Sequence, residues 1–217
     1  MSALNTKNYV FDLDGTLADS MPIAVKIVLD FLDERNITYP DGIVKTLTPL
    51  GFKGIAEYYV THFGVPMQAE EIYACFQARL QVAYSQTIGL KTNVAESLKG
   101  LKARGAKLHV LTASPHIFTD ACLRAQGVFD EFENVWSAED FGYRKSDARI
   151  YAAVAEKLGV CADGYVMVDD SVDVIKTAKR AGVKTVGVYD AAWEKGQAEL
   201  REIADFYIVD FQEILAL

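Results

Sequence analysis

Cysteine is scarce in this 217-residue chain, and its three copies form no recognisable set. Cys75, Cys122 and Cys161 lie far apart, without the close spacing of zinc ligands. An odd number does not suit a disulfide framework, so we expect reduced thiols in a cytoplasmic protein. The sequence also has no apolar run long enough to cross a bilayer and no signal-peptide pattern, so we expect a soluble protein without a membrane partner.

Positive charge is in short supply, with 22 Lys and Arg against 30 Asp and Glu. The resulting net charge of −8 argues against nucleic acid as the main partner, because binding to a phosphate backbone needs clustered cations. Neither the Rossmann dinucleotide fingerprint nor the kinase-type P-loop follows a predicted strand, which excludes both modules. The remaining composition, 51% hydrophobic and 24% charged, is typical of a globular protein with a sizeable core.

Short apolar runs alternate with helix-like periods over most of the chain. Each run is too short for a helix and is followed by turn or polar residues, which indicates a strand. The predicted strands lie at residues 9–11, 108–111, 135–136, 165–168, 184–188 and 206–209. Strands that alternate with helices predict an α/β fold with a doubly wound, Rossmann-like parallel sheet and helices on both faces.

Residues 17–86 differ from the rest because their apolar spacing is helical throughout. A purely helical stretch of this length is not the crossover of a simple βαβ unit. We therefore predict an all-α domain at residues 17–86, inserted into a core domain made of residues 1–16 and 87–217. A glycine-flanked loop in the insert carries Phe52 and Lys53 and is a candidate functional loop; an ordinary interhelical turn is the alternative.

Carboxylates and hydroxyls are concentrated where three of the predicted strands end. Asp12 and Asp14 follow the first strand, the Thr-Ala-Ser sequence at residues 112–114 follows the second, and Asp169 with Asp170 follows a later one. The carboxyl ends of parallel strands share one edge of a sheet. The pattern therefore predicts one crevice that contains four carboxylates and two or three hydroxyls.

The spacing of Asp12 and Asp14 indicates a metal ion. Two carboxylates one residue apart repel each other, and a divalent cation removes that conflict. Mg²⁺ suits such hard oxygen ligands. A surface turn is the alternative, since Asp and Gly are ordinary turn residues. An EF-hand calcium loop is excluded, because Leu17 and Ile23 occupy its glycine and final acidic positions.

The other polar strand ends have alternative roles of their own. Asp169 and Asp170 precede an apolar helix and are suited to cap it as well as to bind a metal. Ser114 is predicted as a helix N-cap with Pro115 in the first helical position, a geometry that also binds anions. Lys145 would ordinarily be a solvated surface lysine. An otherwise acidic site, however, needs a cation if it is to hold an anionic group.

The segment Val-Phe-Asp-Leu-Asp-Gly-Thr at residues 10–16 resembles the first motif of the haloacid dehalogenase-like phosphatase superfamily. In that family the first aspartate is the nucleophile and the second is the general acid/base, which implies these roles for Asp12 and Asp14. The helical insert resembles the small cap of phosphoglycolate phosphatases and β-phosphoglucomutases. The resemblance extends over essentially the whole chain.

The remaining motifs of the family also have counterparts. Thr112 resembles the hydroxyl that binds the phosphoryl group, together with the backbone N–H of Ala113. Lys145 resembles the third-motif lysine. Asp170 resembles the fourth-motif Mg²⁺ ligand, and Asp169 its acidic neighbour. The family's metal set would thus consist of Asp12, the Asp14 carbonyl and Asp170, while Ser114 and Lys53 are further candidates for substrate binding.

The sequence departs from the family pattern at several positions. The prolines usual around the third-motif lysine are replaced by Ser146 and Ala148. The further aspartate expected four residues after Asp170 is Val174, and Asp173 stands one position earlier. Whether Asp169 or Asp173 supports the metal is therefore left open.

The resemblance implies a Mg²⁺-dependent phosphatase that hydrolyses a small phosphorylated metabolite through an aspartyl phosphate. A phosphomutase with the same nucleophile, a metal-free haloacid dehalogenase and a non-catalytic binding protein on the same fold are the alternatives. Asp14 and the Asp169–Asp170 pair argue against the dehalogenase. The expected assembly is a monomer or a weak homodimer.

Overall fold

Parallel strands form the frame of the protein in a computed structural model that describes residue 4 and residues 6–217. The strands of this described part are β1 (Asn8–Phe11), β2 (Lys107–Thr112), β3 (Asn134–Ser137), β4 (Tyr165–Asp169), β5 (Lys184–Val188) and β6 (Phe206–Ile208). They form one sheet in the order β3-β2-β1-β4-β5-β6, and every pairing is parallel. The predicted doubly wound sheet is confirmed, and each predicted strand ends within one residue of the observed one.

Helices connect these strands and also fill the segment between β1 and β2. The α-helices are α1 (Met21–Asp33), α2 (Val44–Leu47), α3 (Gly51–Phe63), α4 (Ala69–Gln86), α5 (Val94–Ala103), α6 (His116–Ala125), α7 (Ala148–Leu158), α8 (Val172–Arg180) and α9 (Gln197–Ile203). Short 3₁₀ turns lie at Thr48–Leu50, Phe129–Glu131, Ala138–Phe141, Ala162–Gly164, Ala191–Gly196 and Phe211–Ala216. None of the helices in the described part combines the length and apolar character that crossing a bilayer requires.

Both faces of the sheet are covered, as the buried strands predict. Successive side chains of a strand point to opposite faces. Tyr9 and Phe11 of β1 accordingly pack in a large core with α5 and α6, whereas Val10 packs in a smaller core with α7 and α8. Every residue of β4 is buried, which explains why its sequence is a continuous apolar run instead of an alternating one.

The segment between β1 and β2 contains α1–α4 and a cluster of aromatic rings. Residues 19–86 are all described, and no strand forms among them. Phe31, Tyr59 and Phe76 pack with ring centroids 5.4–5.9 Å apart, which gives these helices an aromatic core. The division into a cap at residues 17–86 and a core at residues 1–16 and 87–217 stays a prediction, and residues 1–3 and 5 lie outside the described residues.

The predicted loop around Phe52 and Lys53 is wrong, because α3 already begins at Gly51. The glycines there allow a tight junction between the 3₁₀ turn Thr48–Leu50 and α3. Gly51 has a φ of +64°, a conformation that L side chains rarely adopt. A Cβ at Gly54 would lie 3.0 Å from the Cβ of Leu50, so this glycine permits a close approach within the first turn of the helix.

Two short connectors join the helical segment to the sheet, and they lie side by side. The backbone N–H of Asp19 donates to the carbonyl of Gly89 at 2.9 Å, and the N–H of Lys91 donates to Leu17 at 2.9 Å. Ala18 and Leu90 form an antiparallel bridge between them. The chain therefore leaves the sheet layer and returns to it at adjacent points.

The Lys91 side chain fastens this junction to two strand ends. Its Nζ donates to the carbonyl of Gly15 at 2.5 Å and to that of Tyr189 at 2.7 Å. It also forms a 2.8 Å ion pair with Asp190, which is 4% exposed. One ammonium group thus links the turn after β1, the second connector and the end of β5.

We expect the Lys91→Met variant to lose about 3 kcal/mol of unfolding free energy, because a buried carboxylate is left without its cation. Urea unfolding of the two proteins measures the difference. Lys26→Met is the matched control: the pair of Lys26 with Asp30 is exposed, so its loss changes stability by less than about 0.5 kcal/mol. A Lys91 variant as stable as that control would contradict a structural role for the pair with Asp190.

Candidate active site

The ends of β1 and β4 bring the predicted acidic residues together. In the register of these neighbouring strands Phe11 lies opposite Val168. The backbone N–H of Asp12 donates to the Val168 carbonyl at 2.9 Å, so the pairing continues up to the first aspartate. Asp169 and Asp170 follow directly on the other strand. The two acidic segments therefore face one cavity of about 860 Å³ at the carboxyl edge of the sheet.

Three carboxylates form the centre of this cavity. One oxygen from each of Asp12, Asp169 and Asp170 lies within 4.8 Å of the others, and all three residues are buried. The Nζ of Lys145 lies between two of them, 2.5 Å from Asp12 Oδ1 and 2.8 Å from Asp169 Oδ2. Lys145 is itself only 8% exposed, so its contacts with these two carboxylates are buried.

The charges of this cluster are not balanced by the chain alone. The cluster contains three carboxyl groups and the single ammonium group of Lys145, so its acidic groups outnumber its basic groups by two. Burial raises the pKa of Asp170 to about 7, and neighbouring Asp169 adds to the shift. Burial lowers the pKa of Lys145, but Asp12 and Asp169 outweigh it and hold that pKa above its ordinary value. A divalent cation with a preference for hard oxygen ligands fits both the donor set and the missing charge.

Gly15 and Thr16 hold the third carboxylate in place. A Cβ on Gly15 would lie 2.6 Å from Asp170 Oδ2, and the φ of Gly15 is +81°. Only glycine therefore fits this position without displacing the carboxylate. The Thr16 hydroxyl donates to Asp170 Oδ1 at 3.0 Å and is fully buried. Such hydrogen bonds to a carboxylate orient it for metal binding.

The geometry groups Asp169, and not Asp173, with the other acidic residues. Asp169 is fully buried and accepts hydrogen bonds from Lys145 and from the backbone N–H of Ser171. Asp173 lies on the first turn of α8, is exposed, and contributes to the cavity lining outside the carboxylate cluster.

Asp14 lies in the same cavity and accepts two hydrogen bonds from hydroxyl groups. Ser114 Oγ donates to its Oδ2 at 2.6 Å, and the Tyr84 hydroxyl donates to its Oδ1 at 2.5 Å. The prediction that Ser114 caps the next helix is wrong: Pro115 occupies the N-cap position of α6, and the serine hydroxyl is used on Asp14 instead. Burial and then Asp14 raise the pKa of Tyr84, which keeps the phenol protonated as the donor.

Tyr84 was not predicted from the sequence as a site residue. It lies in the last turns of α4 and continues the series Phe76 and Leu80 at four-residue spacing. That spacing is typical of a residue in a helical core. Its position in the sequence was the available signal for a site residue. Tyr84 lies near the end of α4, shortly before the connector at Leu90 that returns the chain to the sheet layer.

The remaining predicted site residues differ in whether they line the cavity. Thr112 is buried at the end of β2, where its Oγ1 accepts a hydrogen bond from the backbone N–H of Ser114 at 3.0 Å. Ala113 lines the cavity. Lys53 lies on the exposed side of α3 and does not line the cavity formed by the described residues, so its contact with substrate stays a prediction. Met21, at the start of α1, is the residue of α1–α4 that lines this cavity in the described part of the chain.

Comparisons with known proteins agree with this fold. The chain is 31% identical to the phosphoglycolate phosphatase of Caulobacter vibrioides over 187 residues, covering 84% of this chain and 79% of that protein. It is 27% identical to the pyrophosphatase PpaX of Bacillus velezensis, over 93% of this chain and 90% of the relative. The crystal structure of CbbY from Rhodobacter sphaeroides with phosphate has the same fold, with a TM-score of 0.78 at 20% identity over 98% of this chain and all of that one.

A family model provides the assignment. Residues 6–182 match the model of the haloacid dehalogenase-like hydrolases, and this range contains every motif aspartate discussed above. The aspartates that the motifs predict as partners meet in one cavity of the structure. The chain belongs to the haloacid dehalogenase-like hydrolase family.

Proposed function

We propose that this protein is a Mg²⁺-dependent phosphatase that hydrolyses a small phosphomonoester through an aspartyl phosphate on Asp12. One observation carries the proposal: the Asp12 carboxylate lies at a sheet edge, in a cluster of buried carboxylates, with the Lys145 ammonium 2.5 Å away. This arrangement suits an anionic nucleophile that must meet an anionic phosphate. Family membership and relatives named as phosphatases support the same chemistry.

In the first step Asp12 attacks phosphorus and the bond to the leaving oxygen breaks, so that one hard reaction becomes two easier ones. Asp14 gives a proton to the leaving oxygen. Lys145, Thr112 and the backbone N–H of Ala113 stabilise charge on the phosphoryl oxygens. In the second step water attacks phosphorus, Asp14 takes the proton of that water, and the bond between Asp12 and phosphorus breaks to release phosphate.

The metal would be held by Asp12, the backbone carbonyl of Asp14 and Asp170, with Asp169 as the supporting carboxylate. When bound, Mg²⁺ neutralises charge on phosphate and on the attacking carboxylate. The excess of buried carboxyl groups over cations in the cluster supports a divalent ion at this place.

The substrate class is tested by phosphate release from a panel of small phosphomonoesters, with pyrophosphate included because one relative is a pyrophosphatase. We expect release in the presence of Mg²⁺ and none with chelator. 2-Phosphoglycolate belongs in the panel because several relatives are phosphoglycolate phosphatases. Isomerisation of a sugar phosphate without phosphate release would instead identify a phosphomutase.

We expect the Asp12→Asn variant to lose phosphate release by roughly a thousandfold or more, because an amide oxygen is a poor nucleophile. Its fold should persist, as measured by circular dichroism and thermal unfolding. Asp163→Asn is the control, since Asp163 is exposed on a distant 3₁₀ turn. Near-normal turnover in the Asp12 variant would refute its role as nucleophile.

Metal binding has a readout that does not depend on turnover. We expect Mg²⁺ to raise the thermal unfolding temperature of the wild type, because an ion that binds only the folded state stabilises it. Asp170→Asn should weaken Mg²⁺ binding, measured by titration calorimetry, by more than about tenfold. Asp173→Asn should change it by less than about twofold, because Asp173 lies outside the carboxylate cluster. The opposite order would refute Asp170 as a metal ligand and assign that role to Asp173.

A further inference from the structure

We propose that Tyr84 is a positioning residue for the reaction: its hydroxyl holds the Asp14 carboxyl group in the orientation from which Asp14 exchanges protons with the leaving oxygen and with water. The inference rests on the proposed function, because it presupposes that Asp14 is the general acid/base. It adds a residue from a helix that carries none of the family's motif residues.

The contact is direct and two-sided. Tyr84 donates to Oδ1 of Asp14 at 2.5 Å, while Ser114 donates to Oδ2 at 2.6 Å. Rotation of the carboxyl group about its Cβ–Cγ bond would break both hydrogen bonds. A carboxylate oxygen has a second acceptor site in addition to the one each hydroxyl uses. Asp14 can therefore be held from two sides and still have an oxygen available in the cavity.

Tyr84 is itself held rigidly, which a positioning group requires. The residue is 5% exposed, and its ring stacks on Phe118 of α6 with centroids 5.3 Å apart and planes within 8°. A tyrosine has few rotatable bonds, so packing of the ring fixes the hydroxyl as well. The hydroxyl position is thus set by the contact between α4 and α6.

Ring packing alone does not account for a tyrosine at this position. Phenylalanine would fill the same space against Phe118 without bringing a polar atom into a buried site. The hydroxyl of Tyr84 donates to the one carboxylate that the reaction uses for proton transfer. Tyr59 on α3 provides the contrast, because its buried hydroxyl donates to the backbone carbonyl of Val28 at 2.8 Å, within the helical segment.

The test compares two substrates whose leaving groups differ in their need for a proton. An alkyl phosphate leaves as an alkoxide unless an acid protonates it, whereas 4-nitrophenyl phosphate leaves as a stable phenolate. For Tyr84→Phe we expect kcat/KM to fall by roughly tenfold on the alkyl phosphate, the effect of one lost hydrogen bond. On 4-nitrophenyl phosphate we expect a change within about twofold, because protonation contributes little there.

The ratio of the two kcat/KM values is the decisive quantity, because a loss of folded protein lowers both values equally and leaves the ratio unchanged. Tyr59→Phe is the matched control: it also removes one buried tyrosine hydroxyl from a helix of the same segment, and its ratio should equal that of the wild type. An equal fall on both substrates, or no fall on either, would overturn the positioning role of Tyr84.

Failure of the inference is distinguishable from failure of the proposed function. If the wild type releases phosphate from both substrates and the Tyr84→Phe ratio is unchanged, only the inference fails. If the wild type releases phosphate from neither, the proposed function fails and the inference falls with it.

Discussion

The salt bridge of Lys145 with Asp12 and Asp169 is the interaction on which the site depends. Burial already raises the pKa values of Asp12 and Asp170, and without that ammonium group the repulsion among three carboxylates within 4.8 Å would raise them further. The parallel sheet creates the crowding because it brings the ends of β1 and β4 together. The residual negative charge then makes the cluster receptive to a divalent cation. One lysine thus makes a reactive arrangement compatible with a folded protein.

Most of the sheet and its acidic edge could be predicted because they follow from local patterns. In this chain two short apolar runs that end in aspartate are strand ends, and because the carboxyl ends of parallel strands share one edge, Asp12, Asp169 and Asp170 are expected at the same edge. What could not be predicted depends on packing between distant elements. Tyr84 has the spacing of a core residue, and Ser114 precedes a proline as a capping serine would. Only the packing of α4 on α6 shows that both hydroxyls meet Asp14.

The start of α3 illustrates the limit of glycine as a signal. Two glycines within four residues suggest a loop, yet Gly51 joins two helical segments and Gly54 lies within the first turn of α3. Their role is to permit a sharp change of direction and a close contact with Leu50. By contrast, Gly15 in the first motif is placed beside a carboxylate that would collide with any side chain. The same residue type therefore has a packing role in one case and a site-forming role in the other.

The paired connectors have a consequence for how such proteins diversify. Because Ala18 and Leu90 are bridged, the segment between them enters and leaves the sheet layer at one place, and a replacement of different length could be accommodated without distorting the strands. Its last helix, however, supplies the hydroxyl that contacts Asp14. Transplanting the segment between relatives would therefore exchange a hydroxyl that contacts Asp14 as well as Met21 in the cavity lining. Exchange of the segment at this junction is therefore compatible with the sheet, but the incoming segment must still provide a suitable contact to Asp14.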